Sequence, residues 1–193
     1  MSSRHRARRR IHEPRDRADT NTRPRLSRHR DGRSRREDVS VQHEVTIRSA
    51  SIGDEPDIRE VYRRSSMSNE GDRQLFTLHP ELLDWSNQVA LLEGRTRLAV
   101  SSEHVIGFST LLFTERAAIV DDLFVHPDWQ RRGIGRALVE DLSLSARCAG
   151  WSSMEVDANP HAQMFYASVG FVPVGEVAVE YGTGLRMLRS TLA

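Results

Sequence analysis

The stretch from Ala118 to Gly150 constrains the fold more than any other part of the chain. Ile119 to Val125 are β-branched, aromatic or apolar apart from Asp121 and Asp122, and Pro127 follows, so they read as a strand. Further on, Ile134, Leu138 and Leu142 recur with Val139 and Ala146 beside them and Gly150 as a stop. That is the period of a helix with one buried face. Between the two lie Gln130-Arg131-Arg132-Gly133-Ile134-Gly135. Amides at the start of a helix have no intrahelical partner and the dipole adds positive potential there, so this turn should hold an anion such as a diphosphate. Gly133 and Gly135 carry no Cβ and are expected to let a ligand approach the backbone.

A Gly-x-Gly pair alone decides nothing, because Gly makes up about 7% of average sequence and the pair arises by chance roughly once in such a chain. The dinucleotide fingerprint fails, since Leu138 stands where a third Gly is needed. The phosphate loop of nucleotide triphosphatases fails as well, because the chain contains no Lys. What carries weight is the strand, Pro127, Gln130-x-x-Gly133-x-Gly135 and the amphipathic helix in succession. Together they resemble the acetyl-CoA signature of the GCN5-related N-acetyltransferases (GNAT), Gln/Arg-x-x-Gly-x-Gly/Ala. Downstream, Ser152 to Val156 reads as a strand and Asn159 to Phe171 runs Asn-Pro-His-Ala-Gln-Met-Phe-Tyr-Ala-Ser-Val-Gly-Phe. This is similar to the same family's second motif, an Asn before a helix that ends in Phe-Tyr, a short spacer and Gly-Phe.

The resemblance covers roughly Val45 to the C-terminus and implies an α/β fold. Its sheet is GNAT-like, mixed and mostly antiparallel, of about seven strands splayed between the fourth and fifth, with helices on both faces. It implies acetyl transfer from acetyl-CoA, used as a co-substrate, to a primary amine by direct attack in a ternary complex. A small-molecule acceptor is the first expectation. A protein N-terminus or side chain is the alternative, as is a non-catalytic acetyl-CoA-binding module with a nucleic-acid-binding basic tail. Dimers are common in the family, and the sequence leaves a homodimer open.

The chemistry asks for an unprotonated amine, a polarised carbonyl and a proton for the departing thiolate. Where the sheet splays, the backbone N–H groups of Leu123, Phe124 and Val125 are expected to face the pantetheine arm and thioester. Gln130 and the amides of Arg131, Arg132, Gly133, Ile134, Gly135 and Arg136 would receive the diphosphate, with the three Arg side chains adding charge. The resemblance places Tyr166 near the sulfur as general acid, a phenol with a reference pKa near 10. Its other role is a packed aromatic beside Phe165. Asn159 is a candidate for a pantetheine amide and equally for a helix N-cap before Pro160. For the base the resemblance points to an acid on the fourth strand, Asp122 or Asp121. Period-2 alternation lets at most one of them face the acceptor. Glu155 and Asp157 are further candidates.

Elsewhere Val45 to Ile47 opens the domain as a strand, and Asp54 with Pro56 starts a helix bearing Ile58, Val61 and Tyr62. Residues 65 to 78 read as loop. Pro80 to Leu92 reads as a second helix with Leu82, Leu83, Val89 and Leu92 on its face. Arg97 to Val100 and Val105 to Phe113 read as a hairpin, and Phe171 to Tyr181 with Leu185 to Leu188 as a closing one.

Charge is unevenly spread. Residues 1–42 hold 14 of the 28 Arg and 6 of the 27 acids, which leaves 14 Arg against 21 acids in residues 43–193. With few apolar side chains, residues 1–42 are expected to be a disordered Arg-rich tail, the only part suited to nucleic acid, and residues 43–193 the catalytic domain. No run of 18 apolar residues exists, no secretory core follows Met1, and Cys148 is the single cysteine. A cytoplasmic protein without membrane partners is expected, with Cys148 a small packed side chain. The eight His show no metal-ligand spacing, so no metal is expected.

Overall fold

In the computed structural model, which describes residues 44–179 and 182–192, seven strands form one sheet. They are β1 (Val45–Ser49), β2 (Thr96–Ser101), β3 (His104–Phe113), β4 (Ala118–Val125), β5 (Ser153–Ala158), β6 (Val172–Val179) and β7 (Gly182–Ser190). Their order is β1-β2-β3-β4-β5-β7-β6. Ser102 and Glu103 both take positive φ, 47° and 70°, the twist that a two-residue hairpin turn between β2 and β3 requires. Every neighbouring pair is antiparallel except β4 and β5. Those two run parallel and pair only through Ala118 with Met154 and Ile119 with Glu155. Beyond Ile119 the sheet parts, as the sequence led us to expect.

The helices are α1 (Glu55–Ser68), α2 (Glu70–Leu78), α3 (Gln88–Leu92), α4 (Ile134–Cys148) and α5 (Gln163–Ser168). Ile58 and Val61 of α1 and Leu91 of α3 pack with Trp85, Leu98 and Phe108 on one face of the sheet. On the other face, Ile134 and Leu138 of α4 meet Ala99 and Ile106. Val139, Leu142 and Ala146 continue that layer with Met154 and Val156 of β5 and with Tyr166 and Phe171. Leu138 and Leu142 are fully buried, so truncating either to Ala would cost about 2–5 kcal/mol.

Three local expectations are corrected. Residues 65–78 are helical over α1 and α2 rather than loop, because Phe76, 3% exposed, gives the polar segment a side chain to bury. Pro80 to Leu92 is not one helix: a 3-10 turn (Pro80–Leu83) and α3 flank an irregular stretch at residues 84–87, and Val89 and Leu92 point to solvent. That break lets Trp85 turn inward, where it is 3% exposed. Cys148 is exposed instead of packed. The tail expected at residues 1–42 lies outside the described residues.

Candidate functional site

Between β3 and β4 the register slips: Thr110 lies opposite Asp122 and Leu111 opposite Val120, so Asp121 is the extra residue of a β-bulge. Its effect on side-chain direction is visible in the packing. Val120 packs into the α4 layer, and so do Leu123 and Val125, three and five positions later. An unbroken strand would put Val120 and Leu123 on opposite faces. The inserted residue shifts the alternation, and Asp121 and Asp122 both line a cavity on the α1 face. The expectation that period-2 alternation sends Asp121 and Asp122 to opposite faces of the strand is therefore corrected.

This cavity, of about 320 Å³, is lined by Tyr62, Asp84, Trp85, Ser86, Asn87, Asp121 and Asp122. Trp85 Nε1 donates to Asp122 Oδ2 at 3.3 Å. Asn87 Nδ2 donates to Asp122 Oδ2 at 3.2 Å and to Asp121 Oδ2 at 2.6 Å. Burial pushes the Asp122 carboxyl above the usual carboxylate range; the Thr110 hydroxyl bonded to it opposes the rise, the Asp121 charge adds to it, and Trp85 and Asn87 oppose it. Asp84 is paired with Arg59, so the charge of the cavity rests on the β4 pair. Glu155 and Asp157 are set apart from it: Arg186 of β7 takes Asp157 at 2.8 Å and lies 4.0 Å from Glu155.

Tyr166 is not in the cavity wall. It sits in the α4–α5 layer, 8% exposed, with Phe165 and Phe171 edge-on at 5.2 and 5.3 Å. Burial holds its phenol well above the ordinary value, and the Asp122 charge adds to the rise. Asn159 does not cap α5, whose N-cap is Ala162; its carbonyl instead accepts from Ala162 N in a turn. The N-cap alternative for Asn159 is thus set aside.

His126 N donates to Ile106 O at 2.9 Å, which fixes the parity of the ladder. Phe124 N–H therefore points to β3, while those of Leu123 and Val125 point into the gap that β5 vacates. Phe124 is removed from the expected trio for that reason. Gln130 Nε2 donates to Val125 O at 3.3 Å, anchoring the start of the turn. Arg131 has φ 63° and Gly133, the N-cap of α4, φ 83°; these left-handed residues curve the intervening amides into a concavity before Ile134, Gly135 and Arg136. The three Arg side chains differ: Arg131 is exposed, Arg132 lies 4.9 Å from the Trp129 ring centre, and Arg136 donates to Ser168 O at 2.7 Å. Gly135 serves helix packing, since a Cβ there would meet Phe165 Cε2 at 3.0 Å, whereas Gly133 has open space about it.

Trp85, Asn87 and Thr110 escaped the sequence reading. The signal was the polar run Asp84-Trp85-Ser86-Asn87 inside a supposed helix, and the doublet of Asp within an apolar strand that demands donors from elsewhere. Among the described residues no helix is long and apolar enough to cross a membrane, and no group of three His, Cys, Asp or Glu is placed to hold a metal.

A seven-stranded mixed sheet with one parallel pair that parts, and helices on both faces, defines an N-acetyltransferase fold of the GNAT type. The sequence model of the family described as "Acetyltransferase (GNAT) domain" matches residues 67–189, more than half of the chain. The chain belongs to this family of acetyl-CoA-dependent acyltransferases. It is similar in structure to a GCN5-related N-acetyltransferase from Rhodopseudomonas palustris, with TM-score 0.60 and 22% identity over 75% of this chain and 94% of that one. It is also similar to the PaiA N-acetyltransferase of Thermoplasma acidophilum in complex with coenzyme A, with TM-score 0.61 and 20% identity over 76% and 99%. A third is the ribosomal-protein-S18-alanine N-acetyltransferase of Escherichia coli, with TM-score 0.57 and 20% identity over 77% and 94%. At these identities the likeness is one of fold. No curated protein matches in sequence.

Proposed function

We propose that residues 43–193 transfer an acetyl group from acetyl-CoA to the primary amine of a small cationic molecule, by direct attack in a ternary complex. The observation that carries this is the pair Asp121 and Asp122 on one wall of a cavity, on the same strand whose Leu123 and Val125 amides turn into the gap beside β5. Those amides suit the pantetheine arm and the thioester oxygen, and the turn from Gln130 to Arg136 suits the diphosphate. Acetyl-CoA supplies the activated carbonyl. Asp121 and Asp122 attract the ammonium form of the acceptor, and Asp122, whose affinity for protons is raised by burial, takes the proton that frees the amine lone pair. The freed amine forms the C–N bond at the thioester carbon; as the C–S bond breaks, Tyr166 gives its phenolic proton to the sulfur, and the second amine proton, made acidic by the new C–N bond, restores the phenol. A cavity of about 320 Å³ with Tyr62 and Trp85 in its lining suits a compact acceptor.

The test is thiol release from acetyl-CoA by the full chain against a panel of small amines, amino acids, polyamines and N-terminal peptides. Release with a small cationic amine supports the assignment. Release only with peptides would replace the acceptor class, and acetyl-CoA binding without turnover on any acceptor would replace the enzyme with a sensing module.

A further inference from the structure

Asn87 occupies the N-cap position of α3, where an Asn side chain ordinarily accepts from a helical amide, yet it makes no such bond. It is turned to β4 instead, where the single amino group Nδ2 reaches Oδ2 of both Asp121 and Asp122. The segment that carries it is clamped at both ends to α1. Asp84 pairs with Arg59, and Gln88 Nε2 donates to Glu55 Oε1 at 2.6 Å. Arg59 Nε donates to that same Glu55 oxygen at 2.9 Å, so one chain of polar contacts brackets residues 84–88. Within the bracket, Trp85 and Asn87 direct their N–H groups at the acid pair.

We infer that Asn87 is a positioning residue that holds the Asp121 and Asp122 carboxyl groups side by side, and thereby sets the pH at which Asp122 accepts the acceptor's proton. Two carboxylates drawn to one point repel, and without a donor between them one of them binds a proton at higher pH. Asn87 supplies that donor. The other groups facing Asp122 do not replace it. Trp85 reaches Asp122, and Thr110 of β3 bonds Asp122 with Thr96 behind it at 3.1 Å. Tyr166 is held in its neutral form, and Asp84 is paired with Arg59. Among the described residues, Asn87 is a donor shared by both carboxylates. The purpose of the device rests on the acetyl-transfer assignment; its effect on the acid pair does not.

The experiment compares wild type, Asn87→Ala, Asn87→Asp and Gln88→Ala as full chains, with two readouts. The first is the pH profile of kcat/KM for thiol release. The second, needing no turnover, is the pH titration of the Trp85 indole N–H resonance, which senses the protonation of Asp122. In Asn87→Ala the acid limb and the indole titration both move to higher pH, and kcat/KM near pH 6 falls about tenfold, the effect of one lost hydrogen bond to a charged group, while the alkaline plateau is retained. Asn87→Asp, with the same shape and no donor, moves both further. Gln88→Ala loosens the clamp on the segment that carries Asn87 and moves both midpoints in the same direction by less. An Asn87→Ala variant whose activity falls evenly across pH with an unmoved indole titration overturns the inference. If no acceptor is turned over by wild type, the acetyl-transfer assignment fails, and the indole titration still decides the role of Asn87.

Discussion

Trp85 Nε1 donates to Asp122 Oδ2 at 3.3 Å, joining a residue of the α1-side segment to one on the central strand 37 positions later. The bond lets a carboxylate stay within a nearly closed layer, but it does not offset the whole cost of burying the charge, and the Asp122 proton affinity rises.

That cost gives the first prediction. A carboxyl whose folded pKa is raised contributes stability while protonated, below its unfolded pKa, and loses it as pH rises through the folded value. At pH 7 burying the Asp122 carboxyl therefore costs stability that an uncharged side chain would not. Asp122→Asn keeps the acceptor oxygen for Trp85 and Asn87 and removes the charge. It should raise Tm at pH 7 by about 2–4 °C, the shift that ~1 kcal/mol produces at this chain length, while reducing thiol release by at least about a hundredfold. The Tm gain should vanish when the melts are repeated at pH 3. A variant that is both less stable at pH 7 and still active would remove Asp122 from the role of base.

Much of this was legible in the sequence, for identifiable reasons. The bounds of β4 and the buried positions of α4 follow from runs of β-branched residues and a 3.6-residue period, both local signals. The parting of β4 and β5 was legible only through family resemblance. The direction of Asp121 was not, because a bulge is fixed by the register against β3 rather than by the residues of β4 alone. The segment at residues 84–87 failed for a related reason: Leu82, Leu83, Val89 and Leu92 are spaced like a helical face, yet burying Trp85 and pairing Asn87 with β4 outweigh that local preference.

Tyr166 yields the second prediction. With its phenol buried and beside the Asp122 charge, it stays protonated above the ordinary tyrosine range, so kcat in wild type should show no tyrosine-linked fall up to about pH 10. Tyr166→Phe retains the aromatic packing with Phe165 and Phe171. Its kcat should drop about a hundredfold with KM for acetyl-CoA and Tm nearly unchanged, as steady-state kinetics and melting would show. Full activity in the Phe variant would leave the residue a packing aromatic only.

Gly184 gives the third. A Cβ on it would lie 2.6 Å from Ala158 O and 2.8 Å from Val179 Cγ1, where β7 crosses the end of β5. The first of these atoms is backbone and cannot rotate away. Gly184→Ala should cost about 1–3 kcal/mol or more, measured as a lower denaturant midpoint at unchanged slope. An unchanged midpoint would mean that β7 shifts freely against β5.

The fourth concerns Gly135 and the ring of Phe165. Replacing a helical Gly by Ala ordinarily stabilises by about 0.5–1 kcal/mol, but here the new Cβ would meet Cε2 at 3.0 Å and Cζ at 3.1 Å, tighter than packed atoms tolerate without movement. Phe165 is half-buried and can tilt, so the two effects nearly cancel in stability, and Tm should stay within about 3 °C of wild type. The displacement has a functional cost all the same. Phe165 stands edge-on to Tyr166, and any tilt of the first ring is passed to the second, which has no room of its own at 8% exposure. Gly135→Ala should therefore lower kcat about tenfold, since a misplacement of about 1 Å at a proton donor weakens catalysis far more than it weakens packing. Adding Phe165→Leu removes the atoms that clash and should recover most of that loss, although Phe165→Leu alone is mildly harmful. Measured in a double-mutant cycle, the coupling should be favourable and exceed the experimental error. Additive losses would mean that Gly135 acts through the turn amides rather than through the ring.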